Sequence, residues 1–255
     1  MNRLDKKLKD LTITECFNRY EEMMKNSDLR WRSAKLLAQN EDYGGAIRDH
    51  ITSMEEMIKG LIMFMDSQGF QFRTVDGMDT IIRKSHSIRH FIGFTMFIMN
   101  IFMDDLKGMI IKIRKAPSTV LKYKGNIKGI EPILKKYALR KFVIIQKEFH
   151  WFAKVESLRQ EGSHVDYDPQ IKSPLNITLE EYKEVYKRLK NVRIVTKDII
   201  KTFDSDDNGG EMIKGIQEFQ QEFITEGWYL KMQEPLKLLK KKKNPFDIVQ
   251  TFFTK

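Results

Sequence analysis

Residues 43–65 read YGGAIRDHITSMEEMIKGLIMFM, and the spacing of their apolar side chains decides the fold class. Ile47, Ile51, Met54, Ile58, Ile62 and Met65 follow one another at three- and four-residue steps. A turn of α-helix takes 3.6 residues, so this spacing lines one face of a long helix. Just before it, NEDYGG (40–45) gathers the Asn, Asp and Gly that favour a turn. Upstream again, LRWRSAKLLAQ (29–39) sets Trp31, Ala34, Leu37 and Ala38 on one side of a shorter helix. The two segments are expected to form an antiparallel hairpin. Met54, Met57, Met63 and Met65 read as flexible core filling rather than a partner groove.

The helical period recurs along the rest of the chain, and strand alternation is nowhere sustained. After the breaker DGMDT (76–80), a helix is expected from about Ser85 to Arg114, stopping before APST. KYKGNIKGIEP (122–132) is the next breaker. Pro132 suits a first helical turn, and Ile133, Leu134, Tyr137, Phe142, Ile145, Phe149, Phe152 and Val155 carry the pattern on to Leu158. Thr178 with Glu181 three positions later is a capping box that opens a helix to about Phe203. DSDDNGG (204–210) reads as a linker into a last helical segment, Glu211 to Lys243. The expectation is an all-α protein with an N-terminal helical extension over 1–26, an antiparallel helical bundle over 27–205 and a basic C-terminal helical extension over 206–255.

Composition narrows the function classes. With 255 residues, 41% hydrophobic and 31% charged, the chain can bury a substantial core. The lone cysteine, Cys16, excludes an intramolecular disulfide and a cysteine-rich zinc module, and fits a reducing compartment. The start, MNRLDKKLKDLTITE, has no apolar core of the kind a secretory signal needs, so a cytoplasmic location is expected and the Asn176-Ile-Thr glycosylation signal is set aside. The most apolar run, Phe91 to Met103, is shorter than the roughly 20 residues that span a bilayer, so no membrane partner is expected. A net charge of +10 favours polyanionic partners, RNA among them, although basic residues spread over solvated helix faces give the same total.

Two metal readings are weak. Asp204, Asp206, Asn208 and Gly209 fit part of a calcium loop, but the position that needs a bidentate Glu is Gly215. His86 and His90 share a helix face without an evident third ligand. No metal and no cofactor is expected.

The chemically suggestive stretch is ESLRQEGSHVDYD (156–168), which holds Arg159 and His164 with four residues between them. On a continuous helix the two would diverge by about 140°. Gly162 is expected to take a left-handed conformation at the helix end and turn His164 back towards Arg159. A second Arg/His pair, Arg83 and His90, lies about 10 Å apart along a helix and suits one phosphate less well. Neutral imidazole can take the proton of a 2'-hydroxyl while a fixed guanidinium steadies charge developing on phosphate, a minimal kit for RNA cleavage without a metal. Against this stands a plain structural pairing of Arg159 with an acid such as Glu156, with His164 a surface loop residue.

Three segments in order resemble the AbiV-type abortive-infection proteins of the HEPN superfamily. SAKLLAQNEDYGGAIRDHITSMEEMIKGLIM is similar to that family's helical hairpin, with Glu55, Glu56 and Lys59 in its Glu-Glu-x-x-Lys segment. KSHSIRHF looks like its histidine-centred helix start, with His86 in the histidine position. LRQEGSHVDYD matches its Arg-x-x-x-Gly-x-x-Val-Asp-Tyr helix end. The resemblance covers about 27–205 and implies a HEPN-like bundle, usually dimeric, that stops phage multiplication, with translation as the suspected point of attack.

On that basis Arg159 and His164 are the expected catalytic pair. Glu55, Glu56, Lys59, His86, Gln160 and Ser163 are expected as auxiliary site residues, and Gly162 as the turn. Glu55 and Lys59, one turn apart, are either an exposed pair or a flank that orients Arg159. The sequence departs from the superfamily pattern at Gln160, where many HEPN nucleases carry Asn, Asp or His after the motif arginine. Expected partners are a second copy of the chain, RNA of the ribosomal, transfer or messenger kind, and a phage protein as trigger or inhibitor. The alternatives are a non-catalytic basic dimer that arrests translation or captures a phage protein, and a toxin partner in which helix packing is the whole function.

Overall fold

The computed structural model describes residues 6–70, 72–74, 78–115, 141–163, 173–204 and 218. His164, the 204–210 linker beyond Asp204, most of the C-terminal extension and the first part of the helix expected from Pro132 lie outside the described residues. The helices are α1 (Ile13–Gln39), α2 (Tyr43–Ser67), α3 (Met78–Arg83), α4 (His86–Lys115), α5 (141–153), α6 (Val155–Glu161) and α7 (Leu179–Asp204). No strand occurs among the described residues, and no described helix is long and apolar enough to cross a membrane.

The hairpin forms as expected, with a longer first arm. A reciprocal capping box starts α1: Thr12 Oγ1 accepts from the Glu15 N–H at 3.2 Å, and Glu15 Oε2 accepts from the Thr12 N–H at 2.8 Å. The sequence signal for it, TITE, precedes too little apolar periodicity to stand out. Helix α1 therefore runs unbroken through residues 26 and 27, where the sequence suggested the bundle begins. At the turn, Glu41 takes a left-handed φ of 63°, and the Asp42 carboxylate caps α2 by accepting from the Gly45 N–H at 2.8 Å. Across the hairpin Met24 meets Gly60, Ser27 bonds Ser53 and the Trp31 ring lies tilted against His50, so rising numbers in α1 meet falling numbers in α2.

Helix α2 is the axis of the molecule. Ile47, Ile51, Met54 and Ile58 are buried as the stripe predicts, but Met57, Leu61, Met63 and Phe64 are buried too, while Ile62 and Met65 are only half-buried. The single-stripe expectation is corrected because α1, α4, α6 and α7 all pack on α2, leaving it little solvent face. Its core partners include Trp31, Phe94, Phe97, Phe149, Phe152, Val155, Val185 and Leu189. Each such large side chain contributes about 1.5–3 kcal/mol when fully buried.

Helix α7 opens on the predicted capping box, Thr178 with Glu181. It runs parallel to α2, with Tyr182 beside His50 at one end and Phe203 beside Phe64 at the other. The helix expected to continue to Leu158 is interrupted at Lys154 and resumes as α6. Helix α6 places Glu156 near Glu55 and Gly162 against Gly44.

Candidate functional site

Glu55 lies on the face of α2 that meets the start of α4. There Ser85 accepts from the Ile88 N–H at 3.3 Å, and the first turn presents His86, Arg89 and His90 at i, i+3 and i+4. All three converge on the buried carboxylate. His86 Nδ1 lies 2.8 and 2.9 Å from its two oxygens, His90 Nε2 lies 2.7 Å from Oε1, and Arg89 Nη2 lies 3.2 Å from Oε2. Arg89 and His90 are as deeply buried as Glu55, whereas the His86 side chain is 40% exposed. Burial alone raises the Glu55 carboxyl, but the hydrogen bonds from His86 and His90, with the charges of His90 and Arg89, hold it well below the usual carboxylate range. His86 Nδ1 also sits 2.9 Å from Arg89 Nη2. With Glu55 ionised, the consistent assignment has Nδ1 donating to the carboxylate.

Helix α6 brings a second pair to the same place. Arg159 donates from Nε to Glu156 Oε2 at 3.1 Å and from Nη2 to Oε1 at 2.7 Å, a bidentate fork. Gln160 donates to the same carboxylate at 3.0 Å, and the Ser163 hydroxyl donates to the Arg159 carbonyl at 2.8 Å. The pairing with Glu156 raises the Arg159 pKa against the opposing effect of burial. Burial raises the Glu156 carboxyl, and the Arg159 hydrogen bonds more than reverse it.

Glu55, His86 and Glu156 each offer a ligand atom, all within 4.8 Å of one another, a grouping that the sequence did not reveal. Two carboxylates here already face two guanidinium groups, those of Arg89 and Arg159, so the cluster carries no surplus negative charge to favour a divalent cation.

Two expectations are corrected. Gly162 has ordinary helical dihedrals, φ −73° and ψ −5°, so it is not a left-handed turn. The glycine is needed for a close approach instead: a Cβ there would lie 2.5 Å from the Gly44 carbonyl oxygen on α2. Lys59 pairs with Glu56 rather than Glu55, and the hydrogen bonds that hold the Arg159 guanidinium come from Glu156. The acid on Arg159 is Glu156, the partner that the plainer reading of the sequence named. Arg83 pairs with Asp79 at 2.9 Å while His90 is buried on Glu55, so that second Arg/His pair is not a site.

The structure brings together Glu55, His86, Glu156, Arg159, Gln160 and Ser163, and sets the Glu56–Lys59 pair on the adjoining α2 surface. Arg89 is the residue that sequence reasoning missed, and His90, read there only beside His86 as a metal ligand and beside Arg83, instead joins it on Glu55. Their signal was the i, i+3, i+4 spacing in HSIRH, legible only once an acid is known to face it.

The molecule is thus an all-helical bundle with a charged histidine, glutamate and arginine cluster where α2, α4 and α6 meet. The family model for the HEPN-type AbiV proteins matches residues 15–194, most of the chain and all of this cluster. The chain belongs to the AbiV family of HEPN proteins, which ties it to abortive infection. No curated protein and no solved structure matches it.

Proposed function

We propose that this protein is an anti-phage endoribonuclease that cuts RNA without a metal and thereby stops translation in an infected cell. The observation that carries the reading is Arg159: its Nε–Nη2 edge is fixed on Glu156, and its Nη1 side has no hydrogen-bond partner among the described residues. A guanidinium fixed along one edge is ready to grip a phosphate along the other. His164, five residues on, is the acceptor of the 2'-hydroxyl proton in this reading, and the net charge of +10 favours the RNA encounter. The active species is a cytoplasmic homodimer whose target is ribosomal, transfer or messenger RNA, with a phage protein as trigger or inhibitor.

The test is incubation of the purified protein with total bacterial RNA in EDTA, with the cut ends mapped. Cleavage should persist and leave 2',3'-cyclic phosphate and 5'-hydroxyl ends. Strict dependence on added metal, or 5'-phosphate products, would exclude this mechanism. Arg159→Lys should lower cleavage by about 10²-fold, since a point charge does not replace a planar fork. The same Glu156 pairing also favours a second reading, a basic helical dimer that binds without cutting, because a guanidinium already neutralised by an acid is a weaker phosphate clamp. Tight RNA binding with no cleavage under any condition would select it.

A further inference from the structure

Cleavage to a cyclic phosphate joins the 2'-oxygen to phosphorus and breaks the bond from phosphorus to the 5'-oxygen. One proton leaves the 2'-hydroxyl, and one must reach the departing 5'-oxygen. Arg159 and His164 supply a clamp and an acceptor but no donor, and a symmetric dimer would have to borrow one from its other chain. We infer that the donor is His86 of the same chain, an assignment that rests on the ribonuclease reading above.

The geometry around His86 differs from that of a structural histidine. Nδ1 is committed inward, to the buried Glu55 carboxylate at 2.8 Å, while Nε2 takes no hydrogen bond from any described residue and the side chain is 40% exposed. A carboxylate on Nδ1 fixes the ring and lets it carry a second proton on Nε2, the outward atom. Glu156, the acid that holds Arg159, also lies within 4.8 Å of the His86 and Glu55 ligand atoms. One carboxylate thus holds the phosphate clamp and lies close to the proposed donor. Among the described residues, the charged and titratable groups around His86 are Glu55 from α2, Arg89 and His90 from α4, and Glu156, with Arg159 on it, from α6.

In the proposed step, His164 takes the 2'-hydroxyl proton as the 2'-oxygen attacks phosphorus. The Nε2–H of protonated His86 passes to the 5'-oxygen as its bond to phosphorus breaks. Neutral His86 stays on Glu55 through Nδ1 and recovers its proton from water, while His164 loses the one it took. Glu55 touches no reacting atom and is a positioning residue.

Leaving-group chemistry tests this with the full-length protein. One RNA oligonucleotide carries an ordinary linkage, and a matched one carries sulfur in place of the bridging 5'-oxygen, which departs as thiolate and needs no proton. His86→Ala should slow the ordinary linkage by about 10²–10⁴-fold and stay within about tenfold of the parent on the sulfur linkage. His164→Ala should be impaired on both. His86→Asn keeps a donor at the Nδ1 position and so preserves the Glu55 contact. It should melt like the parent and show the same selective rescue by sulfur, which separates chemistry from folding. Equal losses on both linkages, or no loss on the ordinary one, would overturn the role of His86 and leave the nuclease reading standing. A parent protein that cuts neither oligonucleotide would overturn the nuclease reading, and this assignment with it.

Discussion

Two polar environments on neighbouring turns of α2, one around His50 and one around Glu55, show how the surroundings decide a side chain's charge. His50 is fully buried among Trp31, Tyr182 and Tyr186, with ring centroids 4.1, 5.8 and 5.3 Å away. Among the described residues its one side-chain hydrogen bond is with the Tyr182 hydroxyl at 3.4 Å, and its Nδ1 is unpartnered. Burial, with a smaller push from Lys35, drives its pKa down to about 3, so the ring is neutral. Five residues on, Glu55 draws His86, Arg89 and His90 into a hydrogen-bonded charged network. Both His50 and Glu55 are buried, but an aromatic pocket excludes charge whereas a buried carboxylate recruits it. The first builds structure, and the second leaves one exposed imidazole edge for chemistry.

The most disruptive way to break the contrast is Glu55→Gln. It removes the negative charge on which His86, Arg89 and His90 converge and should lower stability by about 3–5 kcal/mol, as breaking a buried ion pair does. Denaturant unfolding at neutral pH measures it. The parent should also lose this contribution as pH falls: the Glu55 pKa is lower folded than unfolded, so its stabilisation is full above the ordinary carboxylate range and declines below it. A loss under about 1 kcal/mol would mean that the network adds little to folding.

Gly162→Ala attacks the contact that holds α6 against α2. With a Cβ 2.5 Å from the Gly44 carbonyl oxygen, the backbone must move, at a cost of about 1–3 kcal/mol. Activity should fall as well, since α6 carries Glu156 and Arg159 to the Glu55–His86 side. An unchanged melting temperature would show that the two helices are free to separate there.

His50→Phe sharpens the other half of the comparison. Below the ordinary histidine pKa the unfolded chain binds a proton that folded His50 refuses, so the parent is destabilised as pH falls from about 6.5 towards 3. At pH 5 this amounts to about 2 kcal/mol. The variant should lose that component of acid sensitivity, read from unfolding at pH 7 and pH 5. An identical pH dependence in both proteins would place the acid sensitivity elsewhere.

The smallest effect is expected for Lys59→Ala, whose pair with Glu56 lies on the flank of α2 with the two side chains 20% and 16% exposed. About 0.5 kcal/mol or less should be lost, measured as a shift in denaturation midpoint. A loss above about 2 kcal/mol would bring this flank into the network.

Local signals made much of the fold legible. The α2 periodicity, the NEDYGG turn and the Thr178–Glu181 box depend on residues a few positions apart, and such signals survive in sequence because helices close their hydrogen bonds locally. Arg159 is legible through its spacing to His164, and His86 through its one-turn spacing to His90 and a family resemblance. Glu55 was paired with Lys59 because one-turn neighbours are the pairs that a sequence displays.

By itself, the sequence determined that this chain is a bundle of amphipathic helices, because apolar period and caps are properties of single segments. Only the tertiary structure decided which groups share a charge. Glu55 and His86 are 31 positions apart and Glu156 is a further 70, and no local pattern records that three helices cross there. Gly162 shows the same division: the sequence marked a glycine at a helix end, and packing made it necessary through a close approach to Gly44 rather than through a left-handed turn. Burial then set the charges, because the cost of a buried ion depends on what stands within a few ångströms in space.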